Sequence, residues 1–245
     1  MATIPMPVTI NVRWVTVRAI LTGLAIALVG SLPLSLLAPI NQKVHPEWPW
    51  AAGVVALFLV GLTFWLNGGG WPAASSAERR YYLRLWRPAK DVWSSENRLQ
   101  IIGLVTAIAG IYVFWDLVTQ GHEITDFTPY PTTAYRISLF VMGAIVSGGV
   151  EEMAFRGYMQ SQLEQIGPAY AVTVTSLVFA LAHATHGLAA LLVMFPGYLI
   201  IGLCFCQLAL RTGSILPGMF LHIVGDASHA YFVLLGADAS RLIAH

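Results

Sequence analysis

Between Arg18 and Lys43 the chain runs from Ala19 to Gln42 without a charged side chain, and this limits the possible folds more than any other feature. A hydrocarbon core about 30 Å thick is crossed by roughly 20 apolar helical residues, so the stretch spans it even with Pro33 bending the helix. The pattern recurs along the chain. With 57% hydrophobic and 10% charged residues and a mean hydropathy of +0.69, the composition is that of a polytopic membrane protein. The expected fold is all-α, a transmembrane bundle of about seven spans, six at the fewest and eight at the most.

After the first span, Trp50 to Leu66 forms a second, with Trp48, Trp50 and Trp65 marking the interfaces, and Asn67-Gly68-Gly69-Gly70 breaks it. Residues 71–98 hold Arg79, Arg80, Arg84, Arg87, Lys90 and Arg98, nearly half of the 13 basic residues. Ser75 and Glu78 have capping-box spacing there, and Tyr81, Tyr82, Leu85 and Trp86 lie among the arginines, which reads as a cytoplasmic loop with an interfacial helix. Leu99 to Trp115 is the third span. The loop after it carries Asp116, Glu123 and Asp126, so the positive-inside rule puts it outside and the N-terminus in the cytoplasm. A fourth span descends from Ile137. Ala169 to Ala182 is a short fifth helix ending in His183 and His186, Leu188 to Leu210 a sixth, and Ser214-Ile215-Leu216-Pro217 opens a seventh running to about Leu235.

Residues 1–245 read as a single membrane domain, an integral protein of the plasma membrane, with no linker or internal repeat. The first apolar stretch is too long for a cleavable signal and stays as an anchor. A net charge of +1 with no basic stripe beyond one loop excludes nucleic acid as a partner. Cys204 and Cys206 sit in an apolar run and read as small buried hydrophobes rather than a disulfide or metal pair.

Against this apolar background the segment Glu151-Glu152-Met-Ala-Phe-Arg156-Gly157 places three charges in the fourth span. An ionised side chain at membrane depth costs about 2.5 to 3.5 kcal/mol on insertion scales. On a helix Glu152 and Arg156 share a face and can pair, whereas Glu151 is turned by about 100° and needs another partner. Further on, His183 closes the fifth helix, and His222 and Asp226 share a face of the seventh with His229 close to the same stripe. The first three spans hold no ionisable residue in their cores. Carboxylate and imidazole gathered where water is scarce can activate a water molecule, the acid as general base and the imidazoles orienting it or stabilising an oxyanion. The same set, Glu151, His183 and His222, could instead hold zinc at an open hydrolytic site. A relay of such residues also fits a proton- or ion-coupled transporter, although the repeated halves that many transporters show are missing.

Three motifs in order, Glu151-Glu152-Met-Ala-Phe-Arg156, then Phe179-Ala-Leu-Ala-His183, then His222-Ile-Val-Gly-Asp226, resemble those of the CAAX-protease and bacteriocin-processing family, also called Abi, of intramembrane endopeptidases. The flanks Phe155-Arg156-Gly157 and Gly213-Ser214-Ile215-Leu216-Pro217 are similar too. The resemblance covers residues 136–235 and leaves the first three spans without a signature. It implies hydrolysis of a peptide bond in a membrane-associated peptide or lipidated protein. Glu151 would activate water alongside His183, Arg156 would pair with Glu152, and His222 with Asp226 would face the oxyanion. No cofactor is expected beyond the zinc alternative. The family pattern usually has asparagine where this chain has Asp226. An ionised aspartate cannot donate a hydrogen bond, so it is protonated, or it orients His222 as an acceptor, or it supports a metal. That departure also keeps a catalytically idle immunity or interaction protein among the readings.

Other intramembrane protease classes are excluded. His122-Glu123 is followed by Asp126 where a zinc-protease helix needs its second histidine, Ser147-Gly148 lacks the preceding glycine of a GxSG site, and Gly225-Asp226 lacks the GxGD pattern. His186 and His229 read as hydrogen-bonded or interfacial histidines.

Overall fold

The computed structural model describes residues 10–45, 48, 50–68, 94–119, 143–183 and 188–228. The expected interfacial helix before Ser94, the acidic loop with His122 and Glu123, and both His186 and His229 lie outside the described residues. Those described form seven helices and no strand. They are α1 (Val12–Val44), α2 (Trp50–Gly68), α3 (Ser95–Thr119), α4 (143–163), α5 (Pro168–Ala182), α6 (Leu188–Thr212) and α7 (216–228). Three of them are long and apolar enough to cross a membrane: Val12–Val44, Ser95–Trp115 and Met194–Thr212. Trp50–Leu62 and Pro168–Ala182 are apolar but shorter. The described residues are all-α, as expected from the sequence, and include these three candidate spans.

Helix α1 begins before the uncharged stretch. Asn11 caps it by accepting from the Trp14 amide at 3.1 Å, so Arg13 and Arg18 fall within the helix. At the other end the buried Asn41 donates to the carbonyls of His45 at 2.8 Å and Trp48 at 2.9 Å, and accepts from the Ala51 amide at 2.8 Å. One side chain thus satisfies the polar groups of the turn and joins α1 to α2, which matters where burial makes an unpaired backbone group costly.

Small residues bring α1 against α4. A Cβ on Gly30 would meet Val150 Cγ1 at 2.5 Å, and one on Gly23 would meet Met159 Cε at 2.7 Å, so only glycine permits this approach. Helix α4 is not regular. It loosens into π turns over Glu152–Gln160, all nine residues buried; π turns are rare and gather at functional sites. Gln160 ties this segment to α6 by donating to the Cys206 carbonyl at 3.0 Å.

Gly167, Pro at the first turn and no side-chain cap start α5. Gly213, at φ 65°, occupies the left-handed region that ends α6. Ser214 Oγ then accepts from the Leu216 amide at 3.2 Å, which caps α7 as the sequence led one to expect. Phe155, Met159, Phe179, Phe205 and Leu208 from α4, α5 and α6 form the buried centre, and Cys204 and Cys206 are free thiols.

Candidate active site

The π segment sets Glu152 and Arg156 inside the bundle, each with its side chain fully buried, and joins them by an ion pair of 3.0 Å from Arg156 Nη1 to Glu152 Oε1. The guanidinium lies over the Phe179 ring at 4.2 Å and the Phe205 ring at 5.1 Å from their centroids. Ring faces attract a cation, and more so when it is desolvated. Arg156 is therefore walled in on two helices and cannot reach the cavity described below.

The same Glu152 oxygen faces His222 Nδ1 at 3.2 Å. A carboxylate only accepts, so Nδ1 carries the proton and donates. Phe205 stacks on the His222 ring at 5.1 Å between centroids. Together these contacts fix the imidazole plane and aim Nε2 away from the ion pair.

His183 is oriented in a different way. Its Nδ1 lies 2.8 Å from the Phe179 carbonyl; since the carbonyl accepts, Nδ1 donates and Nε2 keeps its lone pair. Tyr198 stacks on the ring at 4.1 Å. Both histidines thus turn Nε2 to the same place.

That place is occupied by Glu151. Its Oε2 stands 3.9 Å from His222 Nε2 and 4.0 Å from His183 Nε2, and is buried without a hydrogen-bond partner among the described residues. Asp226 Oδ2 is 3.6 Å from His222 Nε2. Glu151, His183, His222 and Asp226 all line one cavity of about 810 Å³. The four residues singled out from the sequence therefore meet, and the acid that lacked a partner on its own helix faces two imidazoles from the end of α5 and from α7.

Residues 133–228 match the family model described as Type II CAAX prenyl endopeptidase Rce1-like. Over these residues the chain is similar to that family of hydrolases. The match takes in the described parts of α4 to α7 and all four cavity residues just named, while α1, α2 and α3 lie before it. Searches of curated proteins and of solved structures gave no match.

Zinc, the alternative for this site, demands close ligands. With Zn–N and Zn–O bonds of about 2.0 to 2.2 Å, two ligand atoms of a tetrahedral site lie roughly 3.4 Å apart. The Glu151 to histidine distances of 3.9 and 4.0 Å exceed this, and among the described residues no group of three histidine, cysteine or acidic side chains is arranged to hold a metal ion. As placed, the set does not fit tetrahedral zinc.

The charge pattern misses one part of the site. The first three spans carry no signature in the sequence, yet Tyr112 of α3 donates from its hydroxyl to Asp226 Oδ1 at 3.2 Å. Ser31 and Ser35 of α1 and Trp115 of α3 also line the cavity. Tyrosine and serine are common in apolar spans, so nothing in their type or spacing marks them.

Proposed function

We propose that the protein is an intramembrane endopeptidase that hydrolyses a peptide bond of a membrane-associated or lipidated protein by water activated at Glu151. The observation that carries this reading is the unpartnered Glu151 Oε2, about equally far from two imidazole nitrogens in one cavity. Polar groups separated by more than about 3.5 Å are natural sites for a bridging water. A water held there within hydrogen-bond reach of about 2.8 Å touches the carboxylate and the lone pair on His183 Nε2 together.

Glu151 takes one proton from that water while His183 accepts a hydrogen bond from the other, and the resulting hydroxide attacks the scissile carbonyl carbon. The carbonyl oxygen becomes an oxyanion. His222 has carboxylates before both ring nitrogens, which sets it to donate from both; its Nε2–H serves the oxyanion. The proton on Glu151 then passes to the leaving amine as the C–N bond breaks, returning the carboxylate. Glu152 and Arg156 support this by holding His222 and do not touch substrate.

The arginine-rich segment and the positive-inside rule favour an N-terminus in the cytoplasm and a cavity open to that side of the plasma membrane. The test is cleavage of a prenylated CAAX reporter peptide by the full chain in lipid bilayers. Glu151→Gln should abolish it without changing insertion or thermal midpoint. Undiminished cleavage by the Glu151→Gln variant would end the hydrolase reading.

A further inference from the structure

Tyr112 lies on α3, before the segment that matches the family, and no charge or motif ties it to the site. Its hydroxyl nevertheless donates to Asp226 Oδ1 at 3.2 Å. The other carboxylate oxygen, Oδ2, faces His222 Nε2 at 3.6 Å. The contact is built into the backbone as well: a Cβ at Gly225, next to Asp226, would overlap the Tyr112 ring. The ring therefore lies directly on α7, where only glycine leaves room for it. Tyr112, Asp226 and His222 all line the same cavity.

We propose that Tyr112 is a positioning residue of the hydrolytic site, acting through Asp226 on His222. The proposal rests on the endopeptidase reading given above. Asp226 has a side chain 29% exposed and stands on the cavity wall, so without a second contact it is free to change rotamer. A phenol donating to Oδ1 fixes the carboxylate and holds Oδ2 3.6 Å from His222 Nε2, where its charge orients the imidazole without taking the Nε2–H from the oxyanion. An ionised aspartate has no proton to offer; the single phenol proton goes to Oδ1, and the pair Tyr112–Asp226 forms one unit.

The experiment uses the full chain in bilayers with the prenylated CAAX reporter. Hydrogen bonds to charged groups carry enough free energy that losing one lowers a rate on the order of tenfold. Tyr112→Phe keeps the ring on Gly225 and removes only the hydroxyl, so kcat should fall by about that factor with KM and thermal midpoint unchanged. Tyr112→Leu removes the ring as well and should lower the thermal midpoint, which separates packing from the hydroxyl. In an Asp226→Ala background, Tyr112→Phe should add no further loss, because the group it acts through is gone. Wild-type kcat in Tyr112→Phe overturns the proposal, as does a full additional loss in the Asp226→Ala background. If the wild type cleaves and Glu151→Gln does not, either of those results sinks the role of Tyr112 alone; if the wild type fails to cleave, the endopeptidase reading falls and the proposal with it.

Discussion

Glu152 and His222 meet through a single carboxylate oxygen: Oε1 accepts from His222 Nδ1 at 3.2 Å while also accepting from Arg156 Nη1 at 3.0 Å. The ion pair is thus the anchor of an imidazole. A buried pair by itself is weak support for stability, since desolvation offsets the attraction, but leaving one charge without its partner costs about 3 to 5 kcal/mol. This oxygen has two dependants of different kinds, and they can be separated.

Arg156→Met takes away the arginine partner of the buried Glu152 and leaves it only the His222 Nδ1 bond, so it should lower stability by up to about 3 to 5 kcal/mol, read as the thermal midpoint in detergent. The double variant Glu152→Leu with Arg156→Met removes both charges and should be more stable than Arg156→Met alone. Its activity should nevertheless stay lost, because His222 Nδ1 no longer has an acceptor. Recovery of cleavage together with stability would show that the pair does nothing for His222.

His183 offers a second test, because its tautomer is set by the Phe179 carbonyl at 2.8 Å rather than by a carboxylate. General acid–base partners contribute about 10²- to 10⁴-fold to a rate. His183→Ala should reduce cleavage of the reporter by an amount in that range. His183→Gln has no ring nitrogen at the Nε2 position and should not restore it. Cleavage within a few-fold of wild type in both variants would remove His183 from the reaction.

The sequence made the charged part of this arrangement legible because ionisable groups in apolar spans are rare enough to be noticed singly. Glu151, Glu152, Arg156, His183, His222 and Asp226 are all visible in that way, and helical spacing alone pairs Glu152 with Arg156. Tyr112 was not visible, since a tyrosine in a span resembles any other aromatic until a distant residue gives its hydroxyl an acceptor. The π turns over Glu152–Gln160 were hidden for a related reason: periodicity over so few residues does not separate a looser helix from a regular one, and the pairing of Glu152 with Arg156 persists. Asn41 reads as a polar end to a span, and its three bonds across the α1–α2 turn depend on how the turn closes. Among the described residues α1, α3 and α6 contain the three candidate spans, whereas α4 carries the three charges Glu151, Glu152 and Arg156 and α5 is a short helix.

Packing around the anchor leads to a third expectation. A Cβ on Gly218 of α7 would stand 3.0 Å from Glu152 Oε2 and 3.3 Å from the Phe205 ring, tighter than ordinary contact. Overpacking of this kind costs about 1 to 3 kcal/mol. Gly218→Ala should therefore lower both thermal midpoint and kcat by pushing α7, and His222 with it, away from Glu151. Gly103→Ala on α3, with nothing within 4 Å of its Cβ, is the control and should gain a few tenths to about 1 kcal/mol from helix propensity. Equal behaviour of the two variants would mean that α7 is free to shift without moving the site.

The last expectation concerns metal. Glu151 Oε2 lies 3.9 and 4.0 Å from the two imidazole nitrogens, about half an ångström beyond the separation of two ligands on tetrahedral zinc. Closing both gaps together would require Glu151 to move toward His222 and His183 at once. His222 is held from behind by Glu152 and stacked on Phe205, and His183 is tied to the Phe179 carbonyl and stacked on Tyr198, so the rings resist that collapse. Cleavage should accordingly survive dialysis against a strong chelator, and elemental analysis of the active protein should find zinc well below one per chain. Stoichiometric zinc, lost together with activity on chelation and restored together on adding it back, would instead make Glu151, His183 and His222 its ligands and replace the carboxylate-activated water with a metal-activated one.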